Sequence, residues 1–195
     1  MKIKKIGLIP TVLKKNNDLK YSIDKNLINF INFIFKKPKI TILYSLNVSE
    51  KFDLIISSGG NNLVKFSKSQ EDKTRSKLEN FYLNLSLKKK ISFLGICYGA
   101  QSLANQYKSK IIFDKSHAGT KHYVYSMNKK KIYVNSFHNY KIIKLNKKFD
   151  VLFKAKDDSI ECFKFKGKKL LGVMWHPERY PKPKKIDIKI IKKYL

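Results

Sequence analysis

Cys97 stands in Leu94-Gly95-Ile96-Cys97-Tyr98-Gly99-Ala100-Gln101, where an apolar run ends and a helical stretch begins at once. Gly-x-Cys-x-Gly at a strand-to-helix junction has the pattern of a nucleophile elbow with sulfur in the serine position. The glycines flank a crowded turn, and the turn thrusts the thiol out at the end of the sheet. A helix N-terminus adds free N–H groups and the positive end of a dipole, which stabilise thiolate, the reactive form of cysteine. Taken alone, the segment describes a small buried thiol in a tight turn equally well.

A thiol nucleophile needs a base, and the base needs an orienting partner. Gly172-Val173-Met174-Trp175-His176-Pro177-Glu178-Arg179 offers both. If the chain is extended here, His176 and Glu178 share a face and rigid Pro177 holds their spacing. Glu178 would accept from one imidazole nitrogen and leave the other for Cys97. The alternative is a surface His-Pro turn with a solvated Glu. A third segment, Ser57-Ser58-Gly59-Gly60, directly follows the apolar run Phe52–Ile56. In a parallel sheet it lies at the same carboxyl edge as Cys97, where open α/β sheets bind ligands. A glycine N–H there, with that of Tyr98, could receive a developing oxyanion; by itself the segment is an ordinary βα turn.

The elements that must position these residues can be read along the chain. Lys4–Pro10 is a short apolar strand, and Tyr21–Phe35 has helical spacing that Pro38 stops. Met1–Lys5 followed by Ile6–Leu13 has the outline of a signal peptide, but Pro10 interrupts the run and no small-residue cleavage site follows. Ile40–Tyr44 and Phe52–Ser57 read as strands, Gly59-Gly60-Asn61-Asn62 as a turn, and Thr74–Leu87 as an amphipathic helix. The strand Ile91–Ile96 and the helix Tyr98–Tyr107 follow. From Lys110 the runs become short and strand-like: Ile111–Phe113, His122–Met127, Ile132–Asn135, Val151–Ala155, Ile160–Phe165 and Leu170–Met174. Helix returns only in the tail Ile186–Leu195. An α/β fold is expected: an open, mostly parallel sheet flanked by helices, with antiparallel hairpins added, in one domain over residues 1–195.

Composition narrows the function. The chain has 43 Lys+Arg against 14 Asp+Glu, a formal net charge of +29. Yet Arg75 and Arg179 are its only arginines, and the lysines are scattered. Ile, Asn and Lys have A/T-rich codons and the scarce Ala has G/C-rich ones, so the skew looks genomic. Base readers usually need the planar guanidinium fork, so no nucleic-acid partner is expected, although the field would attract small anions. No apolar run approaches the roughly 20 residues of a membrane helix. With Cys97 and Cys162 as its only cysteines, the chain is expected in the reducing cytoplasm. His117 and His122, five apart without a carboxylate or Cys nearby in sequence, argue against a zinc site. His138 either lines a pocket or is a hydrogen-bonded structural histidine, and Cys162 reads as core. No P-loop or dinucleotide Gly-x-Gly-x-x-Gly is present.

Together, the Cys97 elbow, the strand ending in Gly59-Gly60 and Trp175-His176-Pro177-Glu178 resemble a class I glutamine amidotransferase domain, in the family's order. Trp-His-Pro-Glu-Arg and Val134-Asn135-Ser136-Phe137-His138 resemble its γ-glutamyl hydrolase branch. The resemblance implies the flavodoxin-like amidotransferase fold and a Cys97–His176–Glu178 triad. It also implies oxyanion donors from the Gly60 and Tyr98 backbones, and glutamate recognition by Gln101. The backbone at Ser136, Phe137 and His138 would hold the α-amino and α-carboxylate groups, with Gly59 and Asn61 as further substrate-binding positions. No cofactor and no metal is implied. The small-molecule substrate would be a γ-glutamyl amide; the compact, Lys-rich chain is most similar to hydrolases of a nucleotide-linked γ-glutamyl amidate serving capsule modification. A glutaminase component feeding ammonia to a synthetase is the alternative, although nothing in the chain indicates that partner. Ser58 stands where the family usually has Pro, and Phe137-His138-Asn139 where many relatives have His-His-Gln.

Overall fold

The computed structural model describes residues 3–48 and 50–195. The first strand, β1 (Lys5–Ile9), is separated by Pro10 from a hairpin of β2 (Thr11–Lys15) and β3 (Asp18–Ser22). Asn16 and Asn17 turn it at φ 51° and 66°, the left-handed pair that a two-residue hairpin loop requires. The hairpin takes Tyr21 and Ser22 out of the expected helix. Instead α1 runs Lys25–Phe35, capped by Asp24, whose carboxylate accepts from the Asn26 N–H at 2.8 Å. The expected βα alternation follows: β4 (Lys39–Ile42), β5 (Leu54–Ser57), α2 (Gln70–Lys89), β6 (Ser92–Ile96) and α3 (Tyr98–Gln106). Helix α2 begins ahead of its apolar spacing because Ser69 caps it, and Glu71 and Asp72 suit the positive end of its dipole.

Beyond α3 come β7 (Lys110–Phe113), β8 (Ala118–Ser126), β9 (Lys131–Phe137), β10 (Tyr140–Lys144), β11 (Phe149–Ala155), β12 (Ile160–Phe165) and β13 (Leu170–Val173), then α4 (Lys185–Tyr194). Strand β10 has no counterpart among the expected elements; it pairs with β7 in a small sheet of its own. The main sheet has nine strands in the order β4-β1-β5-β6-β13-β12-β11-β8-β9. The first five in that order are parallel, and the other four continue antiparallel. The antiparallel part is larger than added hairpins, because antiparallel neighbours need only short turns and no crossover helix.

Both faces of the parallel half are covered. Ile6, Leu8, Leu54, Ile56, Leu94, Ile96, Leu171 and Val173 point to the face packed by α1 and α4. Ile9, Ile55, Phe93 and Leu170 point to the face packed by α2 and α3. Alternate residues therefore enter different cores, which is why these strands read as unbroken apolar runs. Register sets the rim: Ser57 is level with Gly95, and Ile96 with Val173, so β5, β6 and β13 finish together. Among the described residues no helix is long and apolar enough to cross a membrane.

Candidate active site

At that rim, Cys97 joins β6 to α3 with φ 51° and ψ −101°. A left-handed non-glycine residue costs on the order of 1–3 kcal/mol, so the surroundings must impose it. They do. The Cys97 N–H donates to the Val173 carbonyl at 2.8 Å, and its own carbonyl accepts from the Gln101 N–H at 3.0 Å. A Cβ on Gly95 would run into the Gly99 and Ala100 backbone, and one on Gly99 into Ser57. The two glycines thus let helix, elbow and neighbouring strand close to contact distance, as the motif anticipates.

His176 approaches from β13, but the chain is not extended across Glu178 as expected. Strand β13 stops at Val173, and Pro177–Arg179 form one 3-10 turn with His176 as its cap. Proline at the first helical position favours such a turn, because its fixed φ fits and its missing N–H is not needed. The turn still brings His176 Nδ1 to 2.6 Å from Glu178 Oε1. The Asn135 side chain braces His176 from both sides, accepting from its N–H and donating to its carbonyl, each at 2.8 Å. Behind it, the Trp175 indole N–H donates to Asp187 of α4 at 3.1 Å.

Gly59 reports how close the imidazole and thiol are. A Cβ built there would lie 2.7 Å from His176 Cε1, and 3.4 Å from both His176 Nε2 and Cys97 Cβ. Burial works to lower the His176 pKa, but the adjacent Cys97 and Glu178 outweigh it and raise it to about 9.

Thr11 Oγ1 donates to the Gly59 carbonyl at 2.7 Å. In a trans peptide the next N–H, that of Gly60, points the opposite way. Gly60 itself has φ 121°, open only to glycine at low cost. Asn61 lines the cavity, yet its amide is engaged with both backbone groups of Val12 and with Asp72, so it locks the loop. Ser58, in the place of the usual proline, donates to the Ile9 carbonyl at 2.9 Å and accepts from Arg75.

A cavity of about 200 Å³ gathers Gly60, Cys97, Gln101, Phe137, His138 and His176. Gln101 is buried one turn along α3, its amide nitrogen 3.5 Å from the Tyr140 carbonyl. Ser136 is fully buried, its hydroxyl without a hydrogen-bond partner among the described residues, while Phe137 stands edge-on to His176 at 5.6 Å. A larger depression of about 780 Å³, at the opposite edge of the parallel strands between α1 and α4, is lined by lysines and apolar side chains, with no Cys, His or acidic side chain among the described residues.

The glutamine amidotransferase class-I family profile matches residues 17–192. The chain belongs to the class I glutamine amidotransferase family. It is 42% identical over 125 residues to a γ-glutamyl-CDP-amidate hydrolase of Campylobacter jejuni, a match spanning 64% of this chain and 62% of that protein's length. The structure of a GMP synthase component from Thermoplasma acidophilum superposes with a TM-score of 0.74 at 18% identity, covering 98% of this chain and 92% of that one. A Thermotoga maritima glutamine amidotransferase gives 0.68 at 19% identity, covering 97% and 83%. At those identities the likeness establishes the amidotransferase fold.

Sequence reasoning overlooks three supports of this amidotransferase site. Thr11 carries no local signal, and Asn135, although inside the segment Val134–His138, gives no sign of its hold on His176, since each acts across the fold. Arg75 does carry one. In a chain that otherwise uses Lys, it is buried beneath the Ser57–Ser58 loop, donating to the Pro10 and Ser58 carbonyls, to both serine hydroxyls and to Glu79. Five donors in a planar fork fit that task; an ammonium does not. The other arginine, Arg179, lies over Phe137 and lines the cavity. Both arginines therefore serve one site.

Proposed function

We propose that this amidotransferase domain hydrolyses a γ-glutamyl amide-type bond through a Cys97–His176–Glu178 triad. The observation that carries the reading is the approach of His176 Nε2 and Cys97 Cβ to one point beside Gly59, with the other imidazole nitrogen on Glu178. The Cys97 thiolate attacks the glutamyl δ-carbonyl, and the Gly60 and Tyr98 N–H groups receive the oxyanion. Collapse of this adduct breaks the C–N bond as His176 passes its proton to the leaving nitrogen, leaving a glutamyl thioester. Water, deprotonated by His176, then cleaves the thioester to glutamate and free thiol. Gln101 and the backbone of Ser136, Phe137 and His138 orient the glutamyl moiety, and Arg179 adds positive charge at the cavity wall.

For the leaving group, the 42% identity to the Campylobacter hydrolase favours γ-glutamyl-CDP-amidate, with cytidine diphosphoramidate as the second product. An anionic substrate also suits a chain of net charge +29. The test is glutamate release from glutamine, γ-glutamyl amines, polyglutamates and γ-glutamyl-CDP-amidate. Preference for the last is expected. Equal rates across the panel would remove the nucleotide assignment. Glutamine turnover that rises on adding a synthetase would make the chain an ammonia supplier, and a Cys97→Ala variant of normal rate would end the mechanism.

A further inference from the structure

Apart from His176, every histidine of the chain gathers around one carboxylate. Glu161, on β12, is fully buried. His117, at the turn entering β8, places Nδ1 at 3.1 Å from Glu161 Oε1. His138, just after β9, places Nε2 at 3.4 Å from the same oxygen, and His122 of β8 places Nε2 at 3.8 Å from Oε2. The sequence offered His117 and His122 no carboxylate; the fold supplies it from β12, together with a further histidine.

The outward-facing nitrogens decide what the inner ones can do. His138 Nδ1 lies 2.9 Å from the Tyr140 carbonyl, which only accepts, so Nδ1 carries the hydrogen. His117 Nδ1 is hydrogen-bonded to Glu161 Oε1 at 3.1 Å, and its Nε2 lies 3.2 Å from Asp157 Oδ2. In a neutral His138 the inner nitrogen then turns a lone pair toward Glu161, and His117 would become a ligand by exchanging its Nδ1 hydrogen for the ion. His138 Nε2, Glu161 Oε2 and both nitrogens of His122 are buried without a hydrogen-bond partner among the described residues. A lone pair facing a carboxylate away from water is unfavourable unless a cation lies between them.

We infer that His117 Nδ1, His138 Nε2 and Glu161 bind a divalent zinc-type ion, with His122 turning inward as fourth ligand. The three atoms lie within 4.8 Å of one another. Ligands about 2.0–2.1 Å from a tetrahedral zinc are spaced by about 3.3 Å, which a small contraction reaches. Asp157 and the Tyr140 carbonyl stand where histidine ligands of metals usually find their outer acceptors. Imidazole with a single carboxylate selects zinc-type ions over magnesium or calcium. Entry is available through a surface cavity of about 520 Å³ lined by His117, His122 and Asp157. Because His138 also borders the Cys97 cavity, the ion would pin the end of β9 against β12 and so hold one wall of that cavity. Its role is structural.

The test uses the full chain carrying Cys97→Ser, so that the thiol cannot serve as a metal ligand. After chelator treatment and dialysis, Co²⁺ titration is expected to give the intense visible bands of tetrahedral coordination at stoichiometric saturation. Zn²⁺ should displace them and raise the melting temperature. His117→Gln and Glu161→Gln should abolish the bands, His122→Asn should shift them, and Asp157→Asn should weaken Zn²⁺ binding by about 10–100-fold. Should Glu161→Gln fail to fold, His117→Gln and His122→Asn still decide the matter. Absence of Co²⁺ bands with no Zn²⁺ effect on melting would overturn the site in favour of a protonated histidine–carboxylate network. Binding that persists unchanged in a His117→Gln/His122→Asn double variant would overturn it equally.

Discussion

His176 Nδ1 lies 2.6 Å from Glu178 Oε1 within a single 3-10 turn, although the pair is separated only by a proline. The carboxylate is buried with the imidazole, so it holds the ring's tautomer as well as its charge. Glu178→Gln keeps the shape and removes the charge. A loss in kcat of roughly a hundredfold is expected, with little change in KM, as for the loss of one general acid–base contribution. Steady-state kinetics on the preferred γ-glutamyl substrate check it; a variant within twofold of wild type would remove Glu178 from the mechanism.

The pH dependence has a definite sign. His176 titrates near 6.5 when unperturbed and is raised to about 9 in the fold. Its charged form therefore contributes stability that is complete below pH 6.5 and disappears as pH rises through about 9. Activity should fall on the same alkaline limb, because the leaving nitrogen then loses its proton donor. In Glu178→Gln that limb should move toward neutrality. A limb that stays put would mean that Glu178 does not sustain the imidazolium.

Thr11 meets the Gly59–Gly60 loop twice, by its hydrogen bond to the Gly59 carbonyl and by packing against Gly60. Thr11→Val retains the bulk and deletes the hydrogen bond. With the Gly59–Gly60 peptide free to rotate, kcat should drop by about tenfold or more, approaching the loss of an oxyanion donor itself, while KM and melting temperature hardly move. Equal falls in kcat and stability would instead mark Thr11 as a folding residue.

Arg75 and Glu79 form an ion pair with neither side chain exposed. Burial pushes the Glu79 pKa up even with the arginine beside it. Arg75→Ala strands that carboxylate and frees the Ser57–Ser58 loop, at a cost of about 3–5 kcal/mol. Arg75→Lys should recover only part of this, since an ammonium cannot satisfy all five acceptors. Urea unfolding measures both; an alanine variant of wild-type stability would refute the clamp.

Local patterns in the chain are enough to establish the elbow around Cys97, the βα alternation up to Gln106 and the family. Each of these is written in contiguous residues: apolar runs buried on both faces, glycines where a side chain would collide, proline beside histidine. Hairpin β2–β3 is legible in Asn16-Asn17 but hidden by the helical spacing that begins at Tyr21. The geometry of Pro177–Arg179 is not legible, since a two-residue spacing places both side chains together on a strand and, with a proline between them, on a tight turn as well. What the tertiary structure alone decided were relations across the fold: Thr11 to Gly59, Asn135 to His176, Arg75 to Ser57 and Ser58, and Glu161 among three histidines. Burial and lone-pair direction govern all of them, and neither exists until distant strands have settled into register.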